Sequence, residues 1–201
     1  MSAREDVLAR IRSAISPVAQ AAPAIPREYR VHTDDGIETF IARLHHYEAR
    51  TRRVGEDQLA ASIRAALGDS GARRVVAPDG IPEAWLEGIE PLRDTPPLDP
   101  HALDQSDGVI TTCAVAIAET GSFVLDGGSG MGRRILTLVP DYHLCVVRAG
   151  QIVGSVAEAI AKLDPVRPLT FVSGPSATVD IELVRVGGVH GPRRLEVIIA
   201  E

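Results

Sequence analysis

Apolar positions recur at helical spacing through the first third of the chain and give way to short apolar runs in the second half. Val7, Leu8, Ile11 and Ile15 share one face of a helix predicted over Ser2–Ile15. Ser2, with Glu5 three residues on, opens it as a capping box. The Pro- and Ala-containing segment Ser16–Arg30 reads as an extended linker. The apolar stripe of this helical arm must be buried against either its own domain or a partner subunit. A second helix follows from caps at Thr33-Asp34-Asp35 through Arg50, with Ile37, Phe40, Ile41 and Leu44 as its stripe. A third, Glu56–Leu67, aligns Leu59, Ile63 and Leu67 and stops at Gly68 and Gly71.

Arg73–Ala77 reads as a short strand ended by Pro78-Asp79-Gly80, with short helices predicted at Pro82–Leu86 and Asp99–Leu103. From Asp107 the runs turn strand-like: Gly108–Ala118, Ser122–Leu125, Ile135–Val139 and His143–Arg148. A helix is predicted over Gly154–Leu163. A strand over Leu169–Val172 enters Ser173-Gly174-Pro175-Ser176, where Pro175 stands at the first position of a further helix. Leu195–Ala200 is a last apolar strand. This alternation predicts an α/β fold, an open, mostly parallel sheet flanked by helices. Residues 1–30 form an N-terminal helical arm and linker, and residues 31–201 form the α/β domain.

Charge and composition narrow the function. With 21 basic and 27 acidic residues the net charge is −6, which argues against binding a phosphate backbone, and 3% aromatics leave no base-stacking platform. No nucleic-acid partner is expected. The N-terminus lacks the apolar core of a signal peptide, and the stretch around Val109–Ala118 is too short to span a bilayer, so a cytoplasmic location is expected. Cys113 and Cys145 belong to no C-x-x-C pair and sit in apolar runs, which reads as two buried small hydrophobes. The six histidines show no metal-binding spacing, so no metal site and no cofactor of the chain's own are expected.

Three polar turns carry the candidate chemistry. Glu119-Thr120-Gly121 directly follows an apolar strand, where α/β ligand sites form. Glu119 is a candidate base, nucleophile or ligand anchor, with Thr120 and Gly121 offering a hydroxyl and an amide. The bland alternative is a surface carboxylate in a turn that needs glycine. At Ser173-Gly174-Pro175-Ser176, the hydroxyls and free amides of a helix N-terminus would hold a carboxylate or phosphate, with Asp180 and Glu182 nearby; plain helix capping is the alternative. His190, in Val189–Pro192, carries an imidazole that makes it a candidate acid, base or ligand. The segment Asp126–Arg134 is glycine-rich but places Arg133 where a dinucleotide fingerprint needs its third glycine. It reads as a flexible loop able to bring Arg133 or Arg134 to a carboxylate.

In order and spacing, these turns resemble the LutC/YkgG family of LUD (lactate utilization) domain proteins. The resemblance rests on Ala118–Gly121, Pro140-Asp141-Tyr142-His143 before Cys145, Ser173–Ser176 with Asp180–Glu182, and Gly188–Pro192 before the last strand. It covers roughly Asp107–Glu201. It implies a fold like that of NagB, RpiA and the CoA transferases. It also implies a subunit of an L-lactate utilization complex, which oxidises L-lactate to pyruvate with iron–sulfur partner subunits. In that role Glu119 or His190 would assist proton removal from the hydroxyl. The Ser173–Ser176 turn, or Arg133 and Arg134, would hold the carboxylate of a small substrate. Two alternatives stand beside it: a stand-alone CoA-transferase- or isomerase-like enzyme using Glu119, and a non-catalytic ligand-binding or scaffold protein.

Overall fold

The computed structural model describes residues 2–15, 24–178, 186–188 and 190–201. The chain separates into two compact units, Met1–Arg30 and Val31–Glu201. The first holds helix α1 (Ala3–Ile15), opened by reciprocal capping bonds: the Ser2 amide to Glu5 Oε2 at 2.7 Å and the Glu5 amide to Ser2 Oγ at 3.3 Å. None of its residues is buried.

In the second unit the elements follow as α2 (Ile37–His46), β1 (Arg50–Val54), α3 (Leu59–Ser70), β2 (Arg74–Val76), β3 (Glu90–Leu92) and α4 (Pro100–Asp104). Next come β4 (Gly108–Thr111), β5 (Val115–Ile117), β6 (Ser122–Leu125), β7 (Tyr142–Arg148), β8 (Ile152–Val153) and α5 (Val156–Lys162). The last are β9 (Thr170–Val172), β10 (Ala177–Thr178), β11 (Val186–Gly187) and β12 (Arg194–Ala200). Six strands in the order β1-β12-β7-β4-β2-β3 form one sheet whose every pairing is parallel. A second sheet, β8-β5-β6-β9, is mixed, and β10 pairs antiparallel with β11. The expected open parallel α/β sheet flanked by helices is the observed fold.

The main sheet is buried on both faces, and the alternation of side chains along each strand assigns them. Leu144, Val146 and Ile198 pack with Val75 and Ile110 against the α3 stripe of Leu59, Ile63 and Leu67. Cys145, Val147, Val197 and Ile199 point the other way, onto Phe40 and Leu44 of α2 and Phe123 of the second sheet. Each such fully buried side chain contributes about 2 kcal/mol. The far side of the second sheet, with Val115, Ile117 and Val124, is covered by Ala159 of α5. Both cysteines are buried.

Several local expectations are corrected. Helix α2 stops at His46, and the Arg-rich Arg50–Val54 is an edge strand rather than its end. Its guanidinium groups find partners on neighbouring elements: Arg52 pairs with Glu196 and Asp69, and Arg53 with Glu38 and Glu201. At the other edge β3 carries Pro91, which an unpaired edge tolerates. The run Gly108–Ala118 breaks after Thr111, because the Thr112 amide turns to Gly130 O at 2.9 Å and the chain passes into the second sheet. Arg134–Thr137 is a 3-10 turn, not a strand; Leu136 is buried there against Val76, Leu103 and Val109. Ser173–Ser176 opens no helix. The Ser176 amide donates to Pro192 O at 2.7 Å and the chain enters β10. No helix among the described residues is long and apolar enough to cross a membrane.

Candidate functional site

The sheet changes winding direction between β2 and β4, the place where α/β folds leave a crevice at the carboxyl ends of their strands. The glycine loop crosses it. Gly130 donates its amide to Asp79 O at 2.7 Å and accepts from Thr112. A Cβ at Gly130, where φ is +76°, would lie 2.5 Å from Thr112 Oγ1, so only glycine passes there. The loop delivers two adjacent arginines with different fates. Arg133 donates from Nε and Nη2 to the two oxygens of Asp94, at 2.7 and 2.6 Å, and again to Leu98 O at 3.0 Å. That guanidinium holds the Asp94 carboxyl below the usual carboxylate range. Arg134 is exposed, and its guanidinium has no hydrogen bond or ion pair among the described residues. It borders three adjoining cavities.

The first cavity, about 500 Å³, lies under the glycine loop beside Asp79 and Asp94. The second, about 630 Å³, lies on the α2 side of the main sheet, by the amino ends of β7 and β12. The Ser173–Ser176 turn and Phe171 of β9 form one wall, His46, Tyr47 and His190 stand around it exposed, and the buried His143 and Leu195 border it from the sheet. Ser173 Oγ lies 2.7 Å from Ser122 Oγ, and Ser176 Oγ accepts the His190 amide at 3.1 Å. His143 Nε2 is 2.8 Å from Thr111 Oγ1, and its ring meets Phe123 edge to face with centroids 5.7 Å apart. Burial depresses the His143 pKa to about 4, so the imidazole is neutral at neutral pH.

A LUD domain model matches residues 101–200 of the chain. Lactate utilization protein C of Deinococcus radiodurans is 46% identical over 203 residues, covering 98% of this chain and 95% of that protein. The chain belongs to the LUD domain family. A DUF162 family protein from Deinococcus radiodurans, known from a crystal structure at 1.70 Å resolution, matches with a TM-score of 0.69 at 44% identity, over 82% of this chain and 95% of that one. Escherichia coli YkgG is 37% identical over a shorter stretch of 93 residues, 42% of this chain and 40% of that protein.

In this LUD-family chain the residues singled out from sequence fall into separate places. His190, Arg134, Ser173, Gly174 and Ser176 surround the second cavity. Arg133 borders only the first of the three and is committed to Asp94. Glu119, Thr120 and Gly121 form the β5–β6 turn and border none of the three cavities. Glu119 Oε1 accepts the Val156 amide at 2.7 Å, at the start of α5. Gly121, with φ +65°, lies so close to α2 that a Cβ would come 2.5 Å from the Arg43 Cβ. Thr120 Oγ1 is buried with no hydrogen-bond partner among the described residues. Asp180 lies outside the described residues, as does Glu182. His143 went unremarked as a site residue in sequence, where its one signal is a lone imidazole in an otherwise apolar strand. Among the described residues no three His, Cys, Asp or Glu side chains are grouped to hold a metal.

Proposed function

We propose that this chain is the substrate-binding subunit of an assembly that oxidises L-lactate to pyruvate, with iron–sulfur partner subunits carrying the electrons. Two things support this reading: the name borne by its full-length relative in Deinococcus radiodurans, and Arg134. A guanidinium without a partner among the described residues, open to a cavity walled by small polar turns, matches a carboxylate in charge and in its fork of donors. In this reading Arg134 holds the carboxylate, the Ser173–Ser176 turn shapes the wall, and His190 receives the hydroxyl proton. The C2–H bond breaks as well, giving up one proton and two electrons, which the partners accept. Glu119 serves the site from outside the cavity, by fixing the start of α5.

The test is lactate oxidation by the partner subunits alone, with this chain added, and with an Arg134→Ala chain added. The full set is expected to oxidise lactate at least about tenfold faster than either incomplete set, the loss expected for one charge-assisted contact. Equal rates with and without this chain would discard the role.

A further inference from the structure

The carboxylate contact proposed above comes from an exposed arginine, while the buried side of the same cavity holds a polar group that reading does not use. His143 is 1% exposed and Thr111 is fully buried. The imidazole borders the cavity, and its neighbours on that face of the sheet are apolar: Phe123, Cys145 and Leu195. Its Nε2 is committed to Thr111, and Nδ1 has no hydrogen-bond partner among the described residues. A polar nitrogen on a buried cavity wall whose other groups are apolar is where a ligand entering from the cavity side would make its hydrogen bond.

Chemistry narrows the ligand. A threonine hydroxyl both donates and accepts, and a neutral imidazole carries one proton on either nitrogen. The pair therefore has two arrangements. When Nε2–H donates to Thr111, Nδ1 is an acceptor and faces a ligand hydroxyl. When the Thr111 hydroxyl donates to Nε2, Nδ1–H is a donor and faces a ligand carbonyl. One side-chain pair thus suits both oxidation states of the same carbon. Leu195, Phe171 and Pro192, bordering the same space, leave an apolar surface for a short alkyl group.

Resting on the reading of this cavity as a small-carboxylate site, we propose that the Thr111–His143 pair is the subsite for the oxygen on C2, accepting 2-hydroxy and 2-oxo acids alike and disfavouring acids with no oxygen there. The full-length protein would be titrated calorimetrically with L-lactate, pyruvate and propionate. The wild type is expected to bind lactate and pyruvate about tenfold more tightly than propionate, the worth of one buried hydrogen bond. His143→Phe brings all three to the propionate level, Thr111→Val narrows the gap, and Arg134→Ala weakens all three together. A preference that persists in both folded variants overturns the subsite and leaves the carboxylate reading standing. Binding of none of the acids by the wild type overturns both. Should His143→Phe fail to fold, Thr111→Val and the ring nitrogen resonances of wild-type His143 decide. They should shift with lactate and pyruvate and not with propionate; no shift on saturation with lactate overturns the subsite.

Discussion

Glu119 and Arg134 are both charged residues on connections between buried strands, and the fold holds them in opposite ways. Glu119 is drawn into the frame: its carboxylate caps the first turn of α5, and the turn behind it is pressed onto α2 at Gly121. Arg134 stands on a loop whose own anchoring is done by others, by Gly130 between the ends of β2 and β4 and by Arg133 on Asp94. What separates them is unused hydrogen-bonding capacity beside a cavity. A strand end by itself marks no site.

This contrast can be broken most sharply at Gly121. Gly121→Ala places a Cβ against the α2 backbone at a positive φ, and is expected to lower unfolding stability by about 3 kcal/mol. Urea denaturation measures it, and the ligand affinity of the folded fraction should be unchanged. Arg134→Ala should do the reverse. Carboxylate binding falls by about 2 kcal/mol, read by titration calorimetry, while stability stays within about 0.5 kcal/mol of wild type. Glu119→Gln is expected to cost about 1 kcal/mol of stability through the weakened α5 start, with no change in affinity. An affinity loss in this variant would move Glu119 back to the substrate.

The smallest effect concerns the other support of α5. His32 Nδ1 lies 2.6 Å from Glu158 Oε1, and Glu158 completes the capping box with Ser155. The hydrogen bond to Glu158 raises the His32 pKa above 6.5, and His32 in turn lowers that of Glu158 below 4.5. The histidine's contribution is complete below pH 6.5 and is lost as pH rises through its raised pKa. The carboxylate's contribution is present above pH 4.5 and is lost as pH falls through its lowered one. Stability should therefore decline slightly as pH rises above 6.5 through the raised His32 pKa, and His32→Gln should flatten that slope in pH-dependent unfolding.

The buried part of the fold is legible in the chain, because helix stripes such as Leu59, Ile63 and Leu67 and strands such as Leu195–Ala200 show their period directly. Strand β1 is not, since three of its five residues are arginines, two of them satisfied by carboxylates as distant as Glu196 and Glu201. Ser173–Ser176 misleads for a local reason: a proline after Ser-Gly suits a helix start and an irregular turn equally, and the pairing of Ser176 with Pro192 decides between them. The same holds for Arg133 and Arg134. Identical neighbours in sequence, they are told apart only by Asp94, which lies 39 residues from the arginine it captures. His143 reads as core because it is core; its opening onto a cavity depends on β9 and the turn after it.

The parallel pairing of β1 with β12 has a consequence for biosynthesis. Arg50 lies against Glu196 and Val54 against Ala200, and β1 has no other neighbour in the sheet among the described residues. Contacts so far apart in sequence form late, because a long loop must close first. On the ribosome β1 is therefore made well before β12 and waits for it, its arginines keeping that bare edge from pairing with other chains. Only once Arg194–Ala200 is available does the sheet acquire both its outer strand and one wall of the cavity, so the site cannot assemble before the last strand is made.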